Sequence, residues 1–418
     1  MERSRAASIE SIETAQPSLQ AGLRRADRMR KLRAFGLVAP LLAFLLLTFV
    51  APILDMLRRS IVDTDLSEVW PHVTQATRIW TDRSKLPSPA VFDALAADLA
   101  GSYRNQTLAT AARRLNYALD NGRSLVFGTA RKLPATSGDW TSTLKQIDPR
   151  WGELKTWAAI DQASGPLTSY FLLAALDLNK TANGSIVGVA AERAIYIDVL
   201  RRTFIVSFAV TILCLILGFP VAYLLATQPP RRANLLMILV LLPFWTSLLV
   251  RTAAWIVLLQ EHGLVNDALI WLGVIDHPLR LIYNRIGVLV AMTHILLPFQ
   301  ILPLYSVMKG IKPAYMRAAT SLGASPTEAF VRVYLPMTLP GIGAGALLVF
   351  ILALGYYITP ALIGGAADQM ISYFIAFYTS DTINWGMASA LGTVLLVATL
   401  TLYWVYNRLV GVTNVKLG

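Results

Sequence analysis

Cysteine is nearly absent from this chain. Cys214 is the single one in 418 residues and lies inside an apolar run, so an exported segment would have to fold without internal disulfides. The four histidines, His72, His262, His277 and His294, are scattered without an i, i+4 pair, and no metal site is expected from them. No glycine-rich loop runs into Lys-Ser or Lys-Thr, so the chain cannot cradle nucleotide phosphates by itself. Charged residues are also sparse, at 15%. No acid, base and nucleophile share a motif, and no catalytic residue is assigned.

What the chain has instead is apolar length. Six runs, 34–57, 203–226, 234–259, 286–308, 338–362 and 386–407, each suffice to cross about 30 Å of hydrocarbon. The first lacks a small-residue cleavage site and is too long for a signal-peptide core, so it counts as a span. Short basic flanks orient them: Arg24, Arg25, Arg28, Arg30, Lys31 and Arg33 precede the first, and Arg231 and Arg232 fill the turn between the second and third. Lys309, Lys312, Arg317 and Arg332 follow the fourth, and Arg408 and Lys416 follow the last; all of these are expected on the cytoplasmic side. Arg58, Arg59, Arg201 and Arg202 break the rule, but they flank a long segment, and long segments cross largely regardless of charge.

That segment has the composition of a soluble domain. Trp70, Trp80, Trp140, Trp151 and Trp157 offer anchors for a core, and helical spacing recurs over 89–119 (Val91, Phe92, Leu95, Leu99, Leu108, Ala111, Leu115, Leu119) and 151–178. Asn121-Gly122, Ser137-Gly138 and Asn183-Gly184 mark turns, and 181–190 suits a short strand. It carries about fourteen charges of each sign, so the net charge of +12 resides at membrane flanks and does not describe a nucleic-acid surface. The expected organisation is a basic cytoplasmic arm (1–33) on anionic lipid, a first transmembrane helix (34–57), a mostly helical periplasmic insertion (58–202), a core of five more spans with a cytoplasmic loop at 309–337 (203–408), and a cytoplasmic tail (409–418).

Between the fourth and fifth runs stands KPAYMRAATSLGASPTEAFVRVYLPMTLP, residues 312–340. Pro313 suits the first position of a helix and Gly323 its left-handed end, while Ala318 and Ala319 leave a small-residue face. Ser325, Pro326 and Glu328 stand at N-cap, N1 and N3 of a second helix, a capping-box pattern, with Phe330, Val333 and Tyr334 on one side and Pro336 as its expected limit. This pattern resembles the EAA loop of bacterial ABC importer permeases, matched at Ala318, Ala319, Gly323, Val333, Leu335 and Pro336. Arg317 departs from it, standing where that family has an acid. The resemblance implies that the loop, Arg317 to Pro336 with Glu328, seats in a groove of an ATP-binding subunit.

From about residue 203 the chain is similar to the polyamine-type permeases of that superfamily. LLPFWTSLLVRTAAWIVLLQEHGLVNDAL, YNRIGVLVAMTHILLPFQILPLYSVMKGI, the loop, ALGYYITPALIGG and NWGMASALGTVLL follow in its order. The insertion after the first span departs from it. The resemblance implies an all-α polytopic protein of the inner membrane with six transmembrane helices and both termini cytoplasmic. It implies a permease for spermidine or putrescine working by alternating access. Its partners would be two ATP-binding subunits carrying the ATP and Mg, a second homologous permease or a copy of itself, and a periplasmic binding protein.

Within the spans, Arg251 is costly to bury unpaired and is expected to snorkel toward the outer end of the third. Pro220, Pro243, Pro298, Pro303 and Pro360 predict kinks. His294 and Gln300 can hydrogen-bond between helices. Trp245, Trp255, Phe299, Tyr356 and Tyr357 offer faces to an organic cation, and with Arg251 and His294 they form the candidate path. Importers of opines, other amines, amino-acid derivatives or ferric iron fit the same pattern. A membrane sensor shares the layout of a domain between two spans but would lack its signalling domain here. A membrane-embedded enzyme lacks its reactive groups.

Overall fold

The computed structural model describes residues 28–410 apart from Leu32 and Ala182. The arm with Arg24 and Arg25, and the tail with Lys416, lie outside the described residues. One compact unit, ending at Arg58, holds the first candidate span, the long apolar helix Arg28–Arg59, with a π turn at Leu46–Val50 and its side chains exposed. Arg58, one of the arginines at odds with the charge rule, is offset by Asp55 at 2.7 Å.

The second unit opens with the inserted domain. Its periodic stretches are helices at Pro89–Arg104 and Leu108–Ala118, split where Gln106 takes a left-handed φ of 59°, and at Leu154–Ala163 and Tyr170–Ala174, split at Gly165-Pro166. Helices at Asp65–Val69, Pro71–Thr77, Gly122–Lys132 and Trp140–Ile147 and a 3-10 turn at Pro149–Gly152 complete the core. The strand expected in 181–190 is Ile186–Gly188, paired antiparallel with Leu178–Lys180. Trp70, Trp151 and Trp157 are fully buried, and their ring N–H groups donate to Ser102 Oγ, Thr129 Oγ1 and the Trp151 carbonyl at 3.0, 2.8 and 2.8 Å. Each indole thus keeps its apolar burial, roughly 4–6 kcal/mol before entropy, without stranding a donor.

One charge pair sits inside this core. Arg114 donates from Nε to Asp63, both enclosed, and its guanidinium lies over Tyr170 and Phe171 at 4.8 and 5.3 Å. Phe171 continues into a second cluster with Val199, Ile371, Met387, Ala390 and Leu391, its ring resting on Gly386 where any Cβ would collide with it. The Tyr196 and Tyr378 hydroxyls bond to each other beside it. Through this joint the inserted domain is packed onto the second and sixth candidate spans. Arg201 and Arg202 are offset here as well, by Asp198 at 2.9 Å and the Gln369 carbonyl at 3.2 Å.

The bundle itself crosses three long helices, Tyr196–Thr227, Arg285–Gly310 and Pro326–Gly355, around Val210, Cys214, Met292, Leu296, Val349 and Ala353. The sixth candidate span is Trp385–Val410. Pro220, Pro298 and Pro303 stay within helices. Two of the expected runs are not single rods. The third is Pro230–Trp245 and Leu248–Leu258, bent by 98°. Pro243 turns the first piece into a 3-10 end, and Ser247 caps the next by accepting from Val250 N–H at 3.2 Å. The fifth ends at Gly355 and does not reach 362. Tyr356 is extended, and a separate helix, Ile358–Ile363, accommodates Pro360 in its first turn.

Gln300 departs from expectation too. It is fully buried, yet neither amide atom has a hydrogen-bond partner among the described residues. Gly218 and Gly345 bring the neighbouring helices so close that their backbone and hydrocarbon enclose it: a Cβ on Gly345 would stand 2.7 Å from Gln300 Nε2 and 3.0 Å from its carbonyl oxygen. Gly345→Val is therefore expected to force the crossing apart and cost roughly 1–3 kcal/mol, read as a melting temperature lowered by about 5 °C in detergent.

Candidate functional site

The loop at 309–337 is built as its punctuation predicts over its first half. Pro313–Ser321 is a helix none of whose residues is buried. It ends in a Schellman motif: Gly323 N–H donates to the Thr320 carbonyl and Ala324 N–H to the Ala319 carbonyl, both at 3.1 Å, with Gly323 at φ +94°. Leu322 is 89% exposed at the tip, next to the exposed Ala318 and Arg317. A protruding, capped helix with an exposed leucine at its end can be received by a groove and contributes little to its own fold.

The second half differs. Ser325 Oγ accepts from Glu328 N–H at 3.2 Å, but the Glu328 carboxylate pairs with Arg332 at 3.1 Å and does not close the capping box. Pro336 does not end the helix. A π turn over Phe330–Tyr334 widens the ladder, Leu335 N–H reaching back to the Phe330 carbonyl, and the helix runs on to Gly355 with Pro336 absorbed. The second loop helix, from Pro326, and the fifth span are thus one continuous helix. Phe330 stacks on Tyr334 (5.4 Å, 19°), and Tyr223 meets both edge-on at 5.7 and 5.4 Å. Val333 and Leu335 are half-buried beside them, while Pro336 is exposed.

Of the seven candidate path residues, the structure gathers four. Trp255 Nε1 donates to His294 Nδ1 at 3.1 Å, their rings edge-on at 5.3 Å. Arg251 stands one turn before Trp255 on the same helix, and the neighbouring Thr252 meets Thr359, three residues after Tyr356, at 3.2 Å. Arg251 does not stand at the outer end of a straight span, because the 98° bend puts it in the first turn of the cross-running helix. Its Nε is buried and has no hydrogen-bond partner among the described residues. Phe299 packs edge-on against Phe244 at 5.1 Å, and with Tyr356 it borders the bundle core. Trp245 and Tyr357 are 77% and 42% exposed and stand outside this cluster.

Sequence reasoning missed Phe244, the Thr252–Thr359 hydroxyl contact at 3.2 Å that ties the cross-running helix to Ile358–Ile363, and the joint at Phe171 and Gly386. None has a local signal, except that Phe244 precedes Trp245. Among the described residues no three His, Cys, Asp or Glu side chains gather to hold a metal.

A family model described as binding-protein-dependent transport system inner membrane component matches residues 184–411. The inserted domain up to that point lies outside the match. The spermidine/putrescine transport system permease protein PotB of Escherichia coli (strain K12) is 36% identical over 218 residues, 51% of this chain and 79% of that protein. PotB of Haemophilus influenzae is 37% identical over 214 residues, 51% and 75% of the two chains. A crystal structure of a bacterial ABC transporter involved in the import of alginate aligns with TM-score 0.43 at 20% identity, over 53% of this chain and 80% of that one. With its family-matched half holding both the exposed loop and the gathered path residues, the chain belongs to the binding-protein-dependent ABC importer permeases, non-catalytic multi-pass subunits of the inner membrane whose ATP hydrolysis lies on separate subunits.

Proposed function

We propose that this permease imports polyamines of the spermidine and putrescine type, handed over by a periplasmic binding protein. The observation that carries this reading is the identity of more than a third to PotB across the half that contains loop and path. In this reading six spans place both termini in the cytoplasm. A second permease completes the path, and two ATP-binding subunits receive the segment Arg317–Pro336. Nucleotide closure pushes the loop; because its second helix, from Pro326, is continuous with the fifth span, the push becomes a tilt of the bundle. The inserted domain then stands at the outer mouth and helps receive the binding protein, a role that its firm seating at Phe171 and Gly386 supports.

The direct test is uptake of labelled putrescine and spermidine by proteoliposomes holding the whole complex, with the binding protein assayed for the ligand it retains. Trp245, Tyr356 and Tyr357 are the aromatic groups proposed to meet the cation. Each changed to Leu keeps apolar bulk and removes a contact worth about 0.5–2 kcal/mol, so uptake is expected to fall roughly two- to thirtyfold per variant while the ATPase still co-purifies. Parental uptake in all three would make them packing residues.

A further inference from the structure

The gathered residues around Arg251 share one chemical property: they present donors. Arg251 offers a guanidinium with no hydrogen-bond partner for its buried Nε among the described residues. His294 accepts from Trp255 at Nδ1, which leaves its ring proton on Nε2 as a donor. The Tyr356 hydroxyl is a third. They arrive on three separate elements: Leu248–Leu258, Arg285–Gly310, and the extended residue after Gly355. His294 lies nine residues, roughly 14 Å, along its helix from Arg285, well inside the hydrocarbon if that end is at the interface.

An embedded guanidinium is costly unless an anion meets it. The spans of the second unit have none to give, because 203–259, 286–308, 335–364 and 386–406 contain no aspartate or glutamate. Arg285, by contrast, has its own acid, Asp368 at 3.1 Å. Inorganic anions are a poor match for a transporter of amines, whereas the planar two-oxygen geometry of a carboxylate suits a guanidinium fork with flanking N–H and O–H donors.

We propose that Arg251, His294 and Tyr356 form a carboxylate-binding site within the permease bundle. The carboxylate belongs either to a solute carrying both amine and acid or to an aspartate or glutamate of the second permease subunit. The inference deepens the amine-importer reading and rests on it. In the first case the substrate is an amino-acid-like amine in place of a plain polyamine such as putrescine, which has no acid to meet Arg251. In the second, the second permease contributes an intramembrane acid of the kind that spans two to six of this chain lack.

The experiment uses the whole complex, reconstituted with its ATP-binding subunits, second permease and binding protein, and compares parental chain, Arg251→Lys and Arg251→Gln. The solute arm measures uptake of putrescine and of ornithine, which is putrescine's chain with a carboxylate. If the solute supplies the acid, Arg251→Gln lowers the ornithine-to-putrescine uptake ratio at least tenfold and Arg251→Lys lowers it less. The subunit arm measures co-purification of the second permease. If that subunit supplies the acid, Arg251→Gln lowers pairing at least tenfold, and neutralising one intramembrane acid of the second permease restores it. Tyr356→Phe, which removes a single oxygen, should move the same readout about threefold and serves should Arg251→Gln not insert. An unchanged ratio together with unchanged pairing overturns the site. Should the parental complex take up neither amine, the substrate reading fails, while the pairing arm still decides whether the carboxylate site exists.

Discussion

Gly323→Val is expected to uncouple the transporter: uptake lost at least tenfold, the ATP-binding subunit no longer co-purifying, and membrane insertion unaffected. At φ +94° a β-branched residue is strained by its own backbone, and nothing lies within 4 Å of the position for a Cβ to strike. The strain, of order 1–3 kcal/mol, is relieved most cheaply by undoing the Schellman turn, which swings Leu322 and the Pro313–Ser321 helix away from their present aim. Because no residue of that helix is buried, the bundle has little to lose. Gly323→Ala should be milder than Val in the same direction. Normal uptake and normal ATPase recovery in the valine variant would sink the docking role of the loop.

Arg114→Ala is expected to unfold the inserted domain ahead of the bundle. Removing one partner of an enclosed pair leaves the Asp63 carboxylate without its cation, a loss of about 3–5 kcal/mol. The gap also opens beneath Tyr170 and Phe171, whose rings the guanidinium covers. Five of the chain's ten tryptophans, Trp70, Trp80, Trp140, Trp151 and Trp157, report on this domain, so tryptophan fluorescence during heating in detergent should show an early transition. The double variant Asp63→Leu with Arg114→Met removes both charges and should recover most of the loss. A single unshifted transition in Arg114→Ala would mean that the pair adds nothing. If the inserted domain receives the binding protein, binding-protein-stimulated ATPase activity should fall along with the early transition.

The sequence by itself determined what local chemistry determines. Apolar runs located the candidate spans, because each must satisfy its backbone internally whatever its neighbours are. Pro313, Gly323 and Ser325 located the loop helices, because a missing N–H, a positive φ and a cap are properties of single residues. The tryptophans marked the core of the inserted domain. Other features depended on meetings between distant residues. Pro243 signalled a disturbance, but that the third span turns through 98° depends on where Thr252 finds Thr359. Pro336 reads as a stop until Phe330 and Tyr334 lock onto Tyr223 and the π turn carries the helix past it. Arg114 finds Asp63 across 51 residues and Trp255 finds His294 across 39. Hydrophobic periodicity is a short-range signal, and burial pairs polar groups only after the chain has closed those loops. For the same reason Arg251, legible as a costly charge in a span, acquired its neighbours His294 and Tyr356 only in the folded bundle.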